Sequence, residues 1–169
     1  YAFTTDHHLD RLMIPEALTL GVMVNAAELV NCRDQPRTLD RFFPRPAAES
    51  RIDLVRVACH IHEFSEALPA GYWLQEKGYR VGFNLMHVAD RDLTEIKKLA
   101  RHASDYPLEV LYFADSMGSM TPEQTVRIVE AFQEGWAGPL GVHAHDNMGL
   151  ALQNTLAGLE HGVSWVDAT

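Results

Sequence analysis

The stretch PLGVHAHDNMGLALQNTLAGLEHGVSWVDAT, from Pro139 to Thr169, decides how the whole chain is read. It opens on a short apolar run, Pro139 to Asp146, and passes through Asn147 and Met148 into a segment with Leu152, Leu156 and Leu159 on one side and Gly162 past its end. That spacing predicts a helix over residues 149–159. A second apolar run, Ser164 to Thr169, follows directly. Strand, helix and strand in succession make a βαβ unit, whose two strands run parallel. Along the first of them side chains alternate between faces, so His143 and His145 point one way while Val142 and Ala144 point the other.

Working outward, four more apolar runs rich in Val, Leu and Phe precede this unit: Thr19 to Ala26, Asp53 to His60, Arg80 to Val88 and Glu109 to Ser116. Their nearly continuous apolar character is that of strands buried on both faces of a parallel sheet. Helical signals lie between them. Acidic residues crowd Asp90 to Glu95 ahead of Leu93, Ile96 and Leu99, as the helix dipole favours. Thr121-Pro122-Glu123-Gln124 is a capping box that opens a helix carrying Val126, Ile128, Val129 and Phe132 and ending near Gly135. Segments 63–78 and 7–13 read as further helices. Residues Asn31 to Ser50, with Pro36, Pro44 and Pro46 among Arg and Asp, read as an irregular loop with little regular helix.

Six parallel strands could close into a barrel or lie open in a doubly wound sheet. The strand ends carry Asn25, His60, Asn84, His87, Asp115, Ser116, His143, His145, Asp146 and Asp167. Polar groups delivered by five or more strands to one edge favour the rim of a TIM (β/α)8 barrel, whereas an open sheet gathers them at one switch point. No Gly-rich phosphate loop follows any strand. The expected fold is therefore α/β, one partial TIM-barrel domain over residues 1–169.

Composition narrows the function classes. With 14 Lys and Arg against 23 Asp and Glu, the formal charge of −9 disfavours nucleic acid as a partner. Cys32 and Cys59 cannot build a disulfide framework and form no C-x-x-C pair, which fits a reducing, cytoplasmic setting. No apolar run approaches the roughly 18 residues a membrane helix needs, and residues 1–20 lack the pattern of a secretory signal, so no membrane partner is expected. The chain begins at Tyr1 and stops within a strand, so both ends are expected to be cut and the natural polypeptide to be longer, or its gap filled by a partner.

Two imidazoles on one strand face can share a metal, or can be inward histidines satisfied by hydrogen bonds. The motif His143-Ala144-His145-Asp146-Asn147-Met148-Gly149-Leu150-Ala151, the closing Val166-Asp167-Ala168-Thr169, and Phe113-Ala114-Asp115-Ser116-Met117-Gly118-Ser119-Met120-Thr121-Pro122 together resemble the DRE-TIM metallolyase superfamily, the HMGL-like domain. Within it the whole chain is most similar to the 4-hydroxy-2-oxovalerate aldolase-like branch. The resemblance implies an incomplete barrel, strands three to eight of eight, with His143 and His145 as metal ligands on the seventh. It implies a divalent cation, Mn2+ or Mg2+ rather than Zn2+, and a third ligand, an Asp beside an Arg, on a first strand that this chain does not include. It implies a lyase or aldolase that cleaves or forms a C–C bond next to a small 2-oxo acid through an enolate, and a homo-oligomer or a larger parent polypeptide. Asp115 and Ser116 would stand near the substrate as catalytic groups. Two alternatives stand beside this: a Claisen-type acyl-CoA synthase or lyase of the same superfamily, for which no basic cluster suited to acetyl-CoA is seen, and a non-catalytic fragment lacking the first-strand pair.

Other residues have two readings each. In Cys59-His60-Ile61-His62-Glu63, a second H-x-H, His60 lines the pocket as a catalytic group while His62 pairs with Glu63, or the two histidines hold a second metal. Asn84, His87 and Asn147 are substrate-binding candidates, although Asn84 and His87 could equally tie down loop backbone. Asp146 supports the ligands from behind or caps a helix. Asp167 orients a pocket group or closes the barrel's polar layer. His7 and His8 are expected on a solvated helix face, and Met117, Met120 and Met148 as adaptable core filler.

Overall fold

In the computed structural model, which describes residues 5–168, six parallel strands lie side by side in chain order: β1 (Gly21–Asn25), β2 (Leu54–Cys59), β3 (Arg80–Leu85), β4 (Val110–Asp115), β5 (Leu140–Ala144) and β6 (Val163–Val166). Each pairs in parallel with the next, with one irregularity between β5 and β6 at Leu140/Gly141. The order never reverses, so the switch point of a doubly wound sheet is absent from the described residues.

The wall is curled. Arg56 on β2 reaches Asp167, just past β6, at 2.8 Å between Nη1 and Oδ1. Four strand spacings would hold these backbones about 19 Å apart in a flat sheet, beyond the roughly 10 Å that an Arg and an Asp side chain span together. The ion pair therefore crosses a concave face, as in the wall of a barrel.

Helices cover the convex face. They are α1 (Thr5–Leu9), α2 (Ala26–Val30), α3 (Gln35–Phe42), α4 (Ile61–Ala67), α5 (Ala70–Glu76), α6 (Leu93–Ala103), α7 (Pro122–Gln133) and α8 (Ala151–Glu160). The core lies between sheet and helices: Phe64, Phe83, Phe113 and Phe132 are fully buried. Phe113 of β4 stacks on Phe132 of α7 at 5.6 Å, and Phe83 of β3 meets Phe64 of α4 edge-on at 5.8 Å. Thr121 caps α7 by accepting the Gln124 N–H, and Gln124 Oε1 accepts the Thr121 N–H in return.

Three expectations need correction. Residues 31–50 are not irregular throughout. Asp34 accepts the Arg37 N–H and starts α3, Pro36 falls in the first turn where a missing N–H is harmless, and Leu39 is buried; a short 3-10 turn, Ala47–Glu49, follows. Segment 63–78 is two helices, broken where Pro69 cannot continue the ladder. Only Met120 is core filler, since Met117 and Met148 are exposed on the loops after β4 and β5. Helix α1 covers only part of 7–13, and its His7 and His8 are exposed; Thr169 lies outside the described residues. No helix among the described residues is long and apolar enough to cross a membrane.

Replacing Phe113 by Ala should destabilise the fold by about 3–5 kcal/mol because it empties the β4–α7 contact. Thr121→Ala, which removes one cap, should lose only about 1 kcal/mol. Urea denaturation followed by circular dichroism separates the two.

Candidate metal centre

Strand β5 carries His143 on the concave side and His145 follows directly after its last residue, while Val142 and Ala144 are buried. The two rings stand edge to face with centroids 5.0 Å apart. Gly141, two residues earlier on the same face, has a structural cause: a Cβ there would lie 2.5 Å from Tyr112 of β4. Without it the Tyr112 ring lies flat across the concave face, and the Arg56 guanidinium carbon sits 3.7 Å above its centroid.

Arg56 connects the rest. Besides its bond to Asp167, its Nη2 donates to Asn84 Oδ1 at 3.4 Å, and its Nε is buried without a hydrogen-bond partner among the described residues. The other oxygen of Asp167, Oδ2, lies 2.7 Å from His143 Nδ1. Burial alone would raise the Asp167 carboxyl, but the hydrogen bonds from His143 and Arg56 and their charges outweigh it and hold the group down to about 2. Burial pushes the Tyr112 phenol up to about 12, with the nearby Asp167 adding to the effect and Arg56 opposing it.

The loops beyond the strand ends carry the remaining candidates. Asp115 is buried at the end of β4 and both its oxygens are occupied, accepting the Ser119 and Met120 N–H groups at 3.0 Å each. Ser116 Oγ accepts the N–H of His87, an exposed residue held at φ +57°. His87 stacks on His60 at 5.2 Å, and His60 on His62 at 5.6 Å, so three imidazoles line one part of the rim. Stacked rings present faces rather than converging lone pairs, which argues against a second metal at this H-x-H. Glu63 accepts the His60 N–H at 2.8 Å, and His62 Nε2 lies 4.0 Å from its other oxygen. Asn84 is buried on the concave face. Exposed Asn147 donates to the Met117 carbonyl, and Asp146 accepts the Ala151 N–H at the start of α8, a capping role.

Sequence reading named the two histidines and Asp167 but passed over Arg56 and Tyr112. The signal was present: Arg56 is the one charged residue inside β2, in register two before Ala58 on the face that pairs across to Asn84. It also passed over the basic cluster Arg33, Arg37 and Arg41, spaced by four, which lines an open groove of about 400 Å3 on the outer helix layer.

The donor set can be tested against a cation. Two imidazoles sharing one ion at about 2.1 Å per bond keep their ring centres roughly 4.6–5.3 Å apart, and the observed separation falls in that range. Since Asp167 occupies His143 Nδ1, the nitrogen left for a metal is Nε2. Among the described residues no group of three or more His, Cys, Asp or Glu converges as a complete cage. The pair fits as part of a site.

A curled parallel wall of βα units with an imidazole pair at the carboxyl end of a strand defines part of a TIM-barrel protein. The HMGL-like family model matches residues 47–169, and the chain belongs to the HMGL-like family. It is 37% identical over 128 residues to 4-hydroxy-2-oxovalerate aldolase of Thermus thermophilus, across 74% of this chain and 36% of that protein. The enzyme of the same name from Brevibacillus brevis is 32% identical over 127 residues, 74% of this chain and 37% of the other. The chain thus spans little more than a third of the length of these curated relatives. Among solved structures, the carboxyl transferase domain of Rhizobium etli pyruvate carboxylase superposes with a TM-score of 0.74 at 23% identity, covering 89% of this chain and 27% of that one. The HMG-CoA lyase of Bacillus subtilis does so at 0.69 and 15%, covering 93% and 55%. These two likenesses establish the barrel fold.

Two outcomes follow from the site's geometry. Asp115→Ala should destabilise by about 2–3 kcal/mol, because one buried and one part-buried N–H group lose their acceptor, and should loosen residues 116–120 in hydrogen exchange. The Tyr112 phenol should titrate near pH 12 at 295 nm, a step absent from Tyr112→Phe. Because its folded value lies above the ordinary value near 10, the associated stability is present below about pH 10 and lost as pH rises toward 12.

Proposed function

We propose that this chain forms most of the catalytic barrel of a divalent-metal-dependent aldolase that breaks or forms the C–C bond next to a 2-oxo acid, of the 4-hydroxy-2-oxovalerate type. The observation that carries the reading is the His143 and His145 pair, ring centroids 5.0 Å apart at the carboxyl end of β5, inside the region matched by the family.

In this reading His143 and His145 are two ligands of the cation, and a carboxylate from a strand outside residues 5–168 is the third. When bound, a divalent cation chelated by a 2-oxo acid supplies Lewis-acid stabilisation of the enolate charge that develops as the bond breaks. A site with one carboxylate and positions left for substrate oxygens suits Mn2+ or Mg2+ better than Zn2+. The hydroxyl on the carbon that departs as aldehyde must lose its proton, and in this reading His60 takes it, a role supported by its position on the rim stacked between His62 and His87. Ser116, Asn84, His87 and Asn147 frame the substrate. Asp115 acts by anchoring the loop that carries Ser116. The free thiols Cys32 and Cys59 accord with a cytoplasmic setting, and the protein works as a homo-oligomer or as part of a larger polypeptide.

The test uses the full-length protein. Mn2+ should bind with a Kd tighter than about 10 μM, roughly 7 kcal/mol, and His143→Ala or His145→Ala should abolish that binding. Pyruvate release from 4-hydroxy-2-oxovalerate should stop with EDTA and return with Mn2+ or Mg2+. Pyruvate release that ignores both EDTA and the two substitutions would sink the reading.

A further inference from the structure

We propose that Arg56 and Asp167 form a positioning relay that fixes the tautomer of His143, keeping the proton on Nδ1 and the lone pair on Nε2. The proposal rests on the reading of His143 as a metal ligand for its use, although the relay itself is a property of this chain's own residues.

A guanidinium only donates, so the 2.8 Å contact makes Asp167 Oδ1 the acceptor for Arg56. A carboxylate engaged in this way only accepts, so the 2.7 Å contact between Oδ2 and His143 Nδ1 requires hydrogen on Nδ1. In a neutral imidazole the lone pair is then on Nε2. Arg56 is itself held in place by the Tyr112 ring beneath it, by Asn84 Oδ1 beside it, and by the room that Gly141 leaves for the ring. Two side chains outside the metal pair therefore decide which nitrogen His143 can offer. Asp167 orients the ring, and Arg56 orients Asp167.

The dependence on Arg56 makes an unusual prediction about Asp167→Asn. The carboxamide has one accepting oxygen and one donating NH2. Arg56, which can only donate, claims the oxygen and leaves the NH2 facing His143 Nδ1. That forces the imidazole proton to Nε2, the nitrogen the metal needs. Removing the guanidinium in the double variant Asp167→Asn, Arg56→Met frees the carboxamide to turn, and the proton returns to Nδ1. A merely structural role for Arg56 would make the double variant worse than the single one.

The experiment is long-range 1H–15N NMR of the histidine side chains in the metal-free, full-length protein, with His143 assigned by its loss in His143→Gln. The expected result is Nδ1–H in the wild type, Nε2–H in Asp167→Asn and Nδ1–H again in the double variant. Mn2+ affinity should fall by about 10–100-fold in Asp167→Asn and recover in part in the double variant. An Nε2–H tautomer in the wild type overturns the relay and needs no variant to fold. So does an unchanged Nδ1–H tautomer in folded Asp167→Asn. A wild type that shows Nδ1–H but fails to bind Mn2+ upholds the relay and overturns the metal reading instead.

Discussion

The ion pair between Arg56 and Asp167 joins two points of the chain 111 residues apart across the concave face of the sheet. It can form only because the wall curls, and everything at the barrel mouth depends on that curl. Strand ends that would be spread along a flat edge are turned toward one axis, which brings β2, β3, β4, β5 and the residue after β6 to bear on one another through Arg56, Asn84, Tyr112, His143 and Asp167. Both charged side chains are mostly withdrawn from water, with 14% and 17% of their surface left exposed. Removing charge from solvent offsets much of the attraction between partners, so such a pair adds little net stability, while deleting one partner is strongly destabilising. Its contribution is to specify one curvature and one arrangement of donors.

Rigidity at the mouth comes from a second source, the interlocking of the loops after β4 and β5. Asp115 draws the Ser119 and Met120 N–H groups inward, and Asn154 of α8 donates to the Met120 carbonyl. Gly118, at φ +58°, presses against the backbone of the other loop: a Cβ there would lie 2.7 Å from the Asn147 nitrogen and 3.0 Å from the His145 carbonyl oxygen. Asn147 closes the contact by donating to the Met117 carbonyl. His145 therefore sits on a segment clamped from one side by a glycine and from the other by the helix that Asp146 caps. A side chain held this way has little freedom left to lose, and that is how a loop-borne imidazole can be preorganised.

How much of this could be read from residues alone follows from which physical signals are local. Strands buried on both faces announce themselves by unbroken apolar runs, so all six were legible, as was the convergence of His143 and His145 from strand alternation. Helix α3 was hidden because Pro36, with Pro44 and Pro46 soon after it, suggests a loop, although Asp34 as a cap and Pro36 in the first turn are what a helix start tolerates. Asp115 reads by resemblance as a catalytic group near the substrate, and only the fold of the following loop reveals that both its oxygens accept backbone N–H groups. Arg56 was missed for a deeper reason. Its partner lies four strands away, and nothing local to Leu54–Cys59 says where a long side chain will end.

The two ends of the curled wall share one further property. At the β6 end, Val166 and the face of α8 bearing Leu152, Leu156 and Leu159 are exposed, and Met23 and Leu18 are exposed at the β1 end. Strands β1 and β6 each keep one edge unpaired among the described residues. Apolar surface beside open strand edges is a liability that folded proteins cover or pair, and in an eight-stranded barrel two more βα units would meet both edges at once. For the function proposed here, closing the wall and completing the metal site are then a single event, because the carboxylate missing from the imidazole pair belongs to a strand that fills the gap. Asp167, with Arg56 and Tyr112 behind it, engages His143 Nδ1 wholly within this chain, so that contact does not depend on whatever covers the two open edges.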